Sequence, residues 1–221
     1  MKPFYTCLLC ILLIAPCFRA SGQHSIHLDL QKAVKQNKIE VINRDLSLLP
    51  DPSHPAIRLS KAFGEGLAWI NGVEFSNGTI EFDVRGEDVK QHSFVGIAFH
   101  GQNDSTYDAV YLRPFHFRAQ DSVSQYRMIQ YISLPEYTWR KLRAESPGKF
   151  ENKIASDLDP NGWVHMRVVV KDDTVAVYVN ENPSPCLVVQ KVTGAHSGRI
   201  GFYVADTSGG DFANLSVRHG R

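Results

Sequence analysis

An unbroken alternation of polar and apolar side chains over residues 79–85 is the feature that most constrains the fold of this chain. The segment reads TIEFDVR. Successive side chains of a β-strand point to opposite faces of its sheet, so a period of two is typical of a strand with one buried and one polar face. The segment is therefore predicted to be a strand that covers a hydrophobic core with Ile80, Phe82 and Val84.

Short β-rich runs repeat along the rest of the chain. They lie at 94–99, 109–115, 126–132, 163–170, 174–179, 187–192, 199–204 and 212–217. Turn-forming sequences separate them, and Lys171–Thr174 is predicted to close a hairpin between two valine-rich runs. Only residues 28–36 favour a helix. Many short strands with almost no helix predict an all-β sandwich or barrel of two antiparallel sheets.

Residues 1–22 are predicted to be a signal peptide. Lys2 gives the positively charged start, and residues 4–16 form an apolar run too short to span a membrane. The small residues Ala20 to Gly22 favour cleavage before Gln23. We therefore expect export to the periplasm or the extracellular space.

A lipoprotein is the competing interpretation of the N-terminus, because Cys17 follows the apolar run. It is disfavoured, since Pro16 stands where a lipidation signal has a small residue. Residues 23–221 contain no linker, internal repeat or low-complexity segment, so we expect them to form one domain.

The charge balance limits the partners. The whole chain has 24 Lys and Arg and 23 Asp and Glu, a net charge of +1, and loss of Lys2 and Arg19 with the signal peptide leaves 22 against 23, or −1. Nucleic acids and anionic membrane surfaces are bound by basic faces, so neither is expected as a partner. Apart from the run in the predicted signal peptide, no apolar segment approaches the length of a membrane span, so membrane insertion is not expected. The oligomeric state is left open.

Several segments after Gly66 share the strand-and-turn pattern of one group of proteins. They are FSNGTIEFD (75–83), FVGIAF (94–99), YLRPF (111–115), QY (130–131), GWV (162–164), GRIGF (198–202) and DFANL (211–215). With them the chain resembles the concanavalin A-like lectin/glucanase superfamily, most closely the secreted laminin-G-like or 3-keto-disaccharide-hydrolase-like domains of polysaccharide-degrading bacteria.

The resemblance implies a jelly-roll sandwich of two antiparallel sheets over residues 23–221, with a sugar held across the concave face of one sheet or at its rim. Such a scaffold carries lectins, binding modules and hydrolases alike. Three functions stay open: a carbohydrate-binding domain for a glycan or oligosaccharide, a glycoside hydrolase, and a structural surface protein that contacts another protein. Because no paired-carboxylate motif is complete, we favour carbohydrate binding.

Glu81 and Asp83 are the first candidates for catalysis, because residues i and i+2 of a strand leave one face together. The laminarinase-like members of the superfamily carry Glu, Asp and Glu at i, i+2 and i+4. Arg85 stands at the third position here, and a guanidinium cannot act as a general acid. A hydrolase would therefore need another set, for which His100 is the third candidate. The alternative to a catalytic role is a polar sheet face on which Arg85 neutralises Asp83.

Tyr111, Arg113, Gln130 and Tyr131 are the candidates for sugar binding, since a planar guanidinium and flat phenol rings suit hydroxyl-rich rings. Leu112 should face the core, so Tyr111 and Arg113 should share the opposite face. We expect that face to be the one that carries Glu81 and Asp83. The alternative for Arg113 is capping of loop carbonyls.

Trp139 lies in a long charged insert, 137–159, that interrupts the strand pattern. Its ring either stacks on a pyranose or anchors the insert to the sandwich.

Oxygen-bearing side chains around the turn 208–210 suggest a calcium site, with Asp206, Asp211 and Asn214 as ligands. A solvated turn is the alternative, and nothing in the sequence requires a cofactor.

Overall fold

The computed structural model describes residues 25–50 and 54–220. The predicted signal peptide, its cleavage site before Gln23 and the lipidation alternative at Cys17 lie outside these residues. Within them, none of the helices combines the length and the apolar character needed to cross a membrane.

The described residues form fifteen strands, three α-helices and a short 3-10 helix, Pro114–His116. The strands are β1 (Ser25–His27), β2 (Ile39–Ile42), β3 (Leu46–Leu49), β4 (Ala56–Leu59), β5 (Gly66–Phe75), β6 (Gly78–Arg85), β7 (Val95–Asn103), β8 (Thr106–Leu112), β9 (Ile129–Leu134), β10 (Glu151–Asn152), β11 (Val164–Lys171), β12 (Thr174–Val179), β13 (Leu187–Gln190), β14 (Gly198–Val204) and β15 (Gly210–His219). The α-helices are α1 (Leu30–Lys35), α2 (Ser122–Gln125) and α3 (Trp139–Glu145).

The strands form two antiparallel sheets, which confirms the predicted all-β sandwich. The eight-stranded sheet has the order β13-β12-β11-β6-β15-β4-β3, with β1 paired to β15. The seven-stranded sheet has the order β10-β9-β8-β7-β14-β5-β2. Neighbouring strands are often distant in sequence, as for β6 between β11 and β15, so the connections cross from one sheet to the other.

The core between the sheets is built by the predicted alternation. The predicted core residues Ile80, Phe82, Val84 and Leu112 are at most 1 % exposed, and so are Val168 and Phe202 from two other strands. The Phe82 and Phe202 rings meet across the two sheets with centroids 6.0 Å apart. Close packing of such rings makes burial of these strands the main stabilising contribution.

Local signals also gave the correct elements. The hairpin of β11 and β12 closes at Lys171 opposite Thr174, with Asp172 at a φ of 53°. The predicted helix is α1, where the Asp29 side chain accepts a hydrogen bond from the Lys32 amide and caps the first turn.

The seven-stranded sheet departs from the expected pattern, because its central strands are buried on both faces. Tyr111 and Arg113 do lie on the face opposite to Leu112, yet they are only 2 % and 4 % exposed. The connection from β9 to β10, which contains α3, packs over β9 on this side. A site on this face is therefore a pocket between the sheet and the connections that cover it.

Candidate functional site

The two groups of predicted site residues lie on different sheets. Glu81 and Asp83 belong to β6 of the eight-stranded sheet, whereas Tyr111 belongs to β8 of the seven-stranded sheet and Arg113 follows it. The expectation of one shared polar face is therefore wrong. Alternation decides which side of its own sheet a side chain takes, but it carries no information about which of two sheets the strand joins.

A row of paired residues crosses the outer face of the seven-stranded sheet. It runs from Glu151 on β10 through Gln130, Tyr111 and Gly96 to Tyr203 on β14. Gly96 has no side chain on this face, and the Tyr111 and Tyr203 rings meet with centroids 5.6 Å apart. The row gives the sheet an aromatic floor.

A pocket of about 550 Å³ opens above this floor. Its aromatic lining comes from the floor, from the residue before β7, from the segment after β8 and from α3: Phe94, Tyr111, Phe115, His116, Trp139 and Tyr203. Its charged lining comprises Glu65, Lys90, Arg113, Arg127, Arg143 and Asp206. Trp139 is 39 % exposed, so it is not a buried anchor of the insert, and the guanidinium groups of Arg140 and Arg143 lie over its ring at 5.1 and 4.9 Å.

Arg113 is a buried support beneath the pocket. Its guanidinium donates to the Tyr111 hydroxyl at 3.0 Å, to Gln130 Oε1 at 3.1 Å and to the Arg127 carbonyl at 3.0 Å. Burial lowers the pKa of Arg113, but a guanidinium remains charged near neutral pH. Gln130 is 1 % exposed and uses its amide on the Tyr131 and Phe150 carbonyls, so it holds Arg113 and does not line the pocket.

Glu151 is the buried acid beside Arg113. Arg143 binds it with two nitrogens, and its carboxylate also lies 3.8 Å from Arg113 Nη1. Sequence reasoning missed both Glu151 and Arg143, although both belong to the same charged insert as Trp139. Burial and the neighbouring arginines lower the pKa of His116 to about 4, so its ring is neutral at physiological pH.

Glu65 and Asp206 supply acidic groups at another part of the pocket. Tyr203 donates its hydroxyl to Glu65 Oε2, and Asp206 Oδ1 accepts from the Gly64 amide at 3.1 Å. Burial raises the pKa of Glu65, against the opposing effect of the Tyr203 hydrogen bond. Sequence reasoning missed Glu65, whose only local signal is its position between two glycines.

No known family model matches the sequence, and no curated protein matches it with statistical significance. Solved structures do match its fold. The carbohydrate-binding module CBM66 from Bacillus subtilis aligns with a TM-score of 0.60 at 12% identity, over 81% of this chain and 95% of that one. A Bacillus subtilis protein of unknown function with a galectin-like fold gives 0.58 at 10% identity, over 88% and 94%.

The exoplasmic/lumenal domain of VIP36, in a form bound to Ca²⁺ and Man3GlcNAc, gives a TM-score of 0.54 at 10% identity, over 84% of each chain. This chain has the concanavalin A-like fold. The resemblance seen in the sequence is therefore confirmed at the level of architecture.

Two predicted site residues of this concanavalin A-like chain lie between the sheets. The Tyr131 hydroxyl donates to Asp108 Oδ1 at 2.9 Å, and His100 Nδ1 lies 3.2 Å from Asp108 Oδ2. Both side chains are fully buried. Tyr131 points inward because its neighbour Gln130 points outward. His100 is inside because a bulge after Phe99, with His100 at a φ of 52°, shifts the alternation of β7, so this third candidate for catalysis is not accessible.

Glu81 and Asp83 lie on the outer face of the eight-stranded sheet, as the alternation of β6 requires. Asp83 accepts from His165 Nδ1 at 2.7 Å and from Asn214 Nδ2 at 2.6 Å. Burial by itself would raise the pKa of Asp83, but these two hydrogen bonds leave it below its ordinary value. Glu81 accepts from Arg218 at 3.0 Å. The expected neutralisation of Asp83 by Arg85 does not occur, and His100 does not join this pair.

The three predicted calcium ligands make separate contacts. Asp211 is buried and forms ion pairs with Arg58 and Arg85, at 2.6 and 2.7 Å. Asn214 is bonded to Asp83, and Asp206 belongs to the pocket. No cluster of three or more His, Cys, Asp or Glu that could hold a metal occurs in residues 25–50 and 54–220. These contacts do not support the grouping into one calcium site, because two arginines already occupy its most buried carboxylate.

Proposed function

We propose that this protein is a secreted carbohydrate-binding domain whose site is the pocket on the outer face of the seven-stranded sheet. One observation carries the proposal: a partly exposed tryptophan stands beside a pocket with an aromatic floor and polar groups around it. Secretion rests on the sequence of residues 1–22.

The pocket has the chemistry that a sugar ring requires. Its volume of about 550 Å³ lies within the usual range of small-ligand sites. Flat aromatic side chains contact the C–H face of a pyranose, while charged groups bond to its hydroxyls. Glu65 Oε1 and the neutral ring of His116 are available for such bonds.

The similar structures support this class of ligand. One is a carbohydrate-binding module, and VIP36 was solved with a mannose-containing oligosaccharide. Calcium, which VIP36 also holds, is not part of the proposal, because the three residues predicted to bind it here make other contacts.

Trp139→Ala tests the proposed site. We expect the affinity for a glycan, chosen by array screening and measured by calorimetry, to fall about tenfold or more, because a central aromatic contact is usually worth over 1 kcal/mol. Tyr178→Ala is the matched control. It also removes an aromatic ring that lies against a guanidinium, that of Arg167 at 3.8 Å, but it lies on the eight-stranded sheet. Unchanged binding by Trp139→Ala, or equal loss in both variants, would contradict the site.

Hydrolysis is a second candidate, favoured by the presence of two carboxyl groups, Glu65 and Asp206, in one pocket. A general acid near neutral pH needs a raised pKa, as Glu65 has. If the glycan is incubated with the protein and then analysed, shortened oligosaccharides indicate a hydrolase, and an unchanged glycan indicates a binding domain.

A further inference from the structure

We propose that the sugar bound in this pocket carries an anionic group, a carboxylate or a sulfate, which Arg127 and Arg143 hold. The proposal rests on the proposed function and specifies the class of its ligand. It is carried by an excess of positive charge in the pocket wall.

Three arginines share one carboxylate in this wall. Glu151 lies 2.5 Å from Arg143, 3.8 Å from Arg113 and 3.9 Å from Arg127. No other carboxylate of the described residues lies within 4.0 Å of these three guanidinium groups. Three positive charges against one negative charge leave an excess of two.

The three arginines differ in what they can offer a ligand. The Arg113 side chain is 5 % exposed and its hydrogen bonds go to the protein. The Arg127 side chain is 36 % exposed, and within the described part of the chain its guanidinium makes no hydrogen bond, only the long contact with Glu151. Arg143, 23 % exposed, uses Nε and Nη2 on Glu151 and leaves Nη1 free of such bonds. Arg127 and Arg143 therefore present donors to the pocket.

The acidic groups elsewhere in the pocket do not remove the excess. Their two negative charges face a further arginine, Arg44, which is buried and whose pKa burial lowers against the raising effect of these carboxylates. Lys90 adds a further cation to the lining. The same positive charge acts on His116, because Arg113 and Arg127 add to the effect of burial and lower the pKa of its ring.

Uncompensated charge in a partly buried site is unfavourable, and a bound anion relieves it. Guanidinium groups bind carboxylates and sulfates through charge-assisted, often bidentate hydrogen bonds. Arg143 lies over the Trp139 ring at 4.9 Å, so an anion held by this guanidinium would bring its sugar ring next to the tryptophan. A neutral sugar would leave the excess charge in place.

The test uses four probes in two matched pairs: a tetragalacturonate with its methyl ester, and a carrageenan tetrasaccharide with its desulfated form. We expect at least one anionic probe to bind about tenfold or more tightly than its neutral partner, since hydrogen bonds to charged groups contribute roughly 1.5–3 kcal/mol. This preference should decrease with added salt. The pair that shows it identifies carboxylate or sulfate.

Because Arg127→Met removes a positive charge that only the anionic member of each pair can neutralise, it should abolish most of the preference. Arg127→Lys should retain part of it, which separates loss of charge from disturbance of the fold. Arg118→Met is the control, because Arg118 is an exposed arginine whose ion-pair partner is Asp159, at 3.6 Å.

Two results would overturn the inference while the proposed function stands: equal affinity for both members of each pair, or binding of neutral glycans alone, in either case lost in Trp139→Ala. If no glycan binds in a Trp139-dependent way, both the proposed function and the inference are wrong.

Discussion

His100 shows how a single residue can be assigned the wrong role from sequence. Its ring lies between two acceptors, the Ser76 carbonyl 2.7 Å from Nε2 and the Asp108 carboxylate 3.2 Å from Nδ1. From the sequence, His100 was a candidate for acid/base catalysis. The chain gives no local sign that β7 extends to Asn103 with a bulge after Phe99, and this bulge is what turns the side chain into the core.

His100→Asn should lower the free energy of unfolding by about 3 kcal/mol, because Asp108 loses a buried partner. Asparagine tolerates the positive φ of 52° at this position, so backbone strain does not confound the result. Urea unfolding measures the effect, with His196→Asn as an exposed control. Glycan affinity of the folded variant should match that of the unchanged protein. A variant as stable as the control would show that the buried contact contributes nothing.

Single elements were predictable where one face is buried and the other is polar. The strand β6 follows its alternation, and the β11–β12 hairpin follows its turn. The sequence pattern was less informative for β8. Its residues Tyr107 to Leu112 are all buried, so buried and exposed side chains do not alternate along this strand. Glu151, the carboxylate of the pocket wall, gave no signal, because β10 joins the sheet through only two residues, Glu151 and Asn152. A strand of two residues is too short to show a periodic pattern in the sequence.

The contact between β6 and β11 makes stability depend on pH. The hydrogen bond to Asp83 raises the pKa of His165, and the pKa of Asp83 is lowered. The His165 contribution is therefore complete below its ordinary pKa of about 6.5 and is lost as pH rises through the raised value. The Asp83 contribution is present above about 3.9 and is lost as pH falls through the lowered value.

We therefore expect the pair to stabilise the fold most between about pH 4 and 6.5. Thermal unfolding from pH 4 to 9 should show that Asp83→Asn lowers Tm most in this window and less at higher pH. Glu81→Gln is the control on the same strand face. If the loss of Tm caused by Asp83→Asn grew steadily from pH 6.5 to 9, the prediction would be contradicted.

At the scale of the whole molecule, the sequence predicted a sandwich but not which strands share a sheet. The β6 strand pairs with β11 and β15, whose partners for Glu81 are Arg167 and Ser216. Such pairings join residues far apart in the chain, so they follow from how all the strands pack together. The split of the predicted site between two sheets is a consequence of this topology.

The two outer faces of the sandwich should consequently act independently. The pocket lies beyond the seven-stranded sheet, while Glu81 projects from the other side of the eight-stranded sheet, with the buried core between them. Glu81→Gln should therefore leave glycan affinity unchanged, whereas Trp139→Ala should reduce it. The affinities of the unchanged protein and the two variants for one glycan are compared by calorimetry, at a temperature below the Tm of all three. If Glu81→Gln weakened binding and Trp139→Ala did not, the sugar would lie on the eight-stranded sheet, beside Glu81 and Asp83.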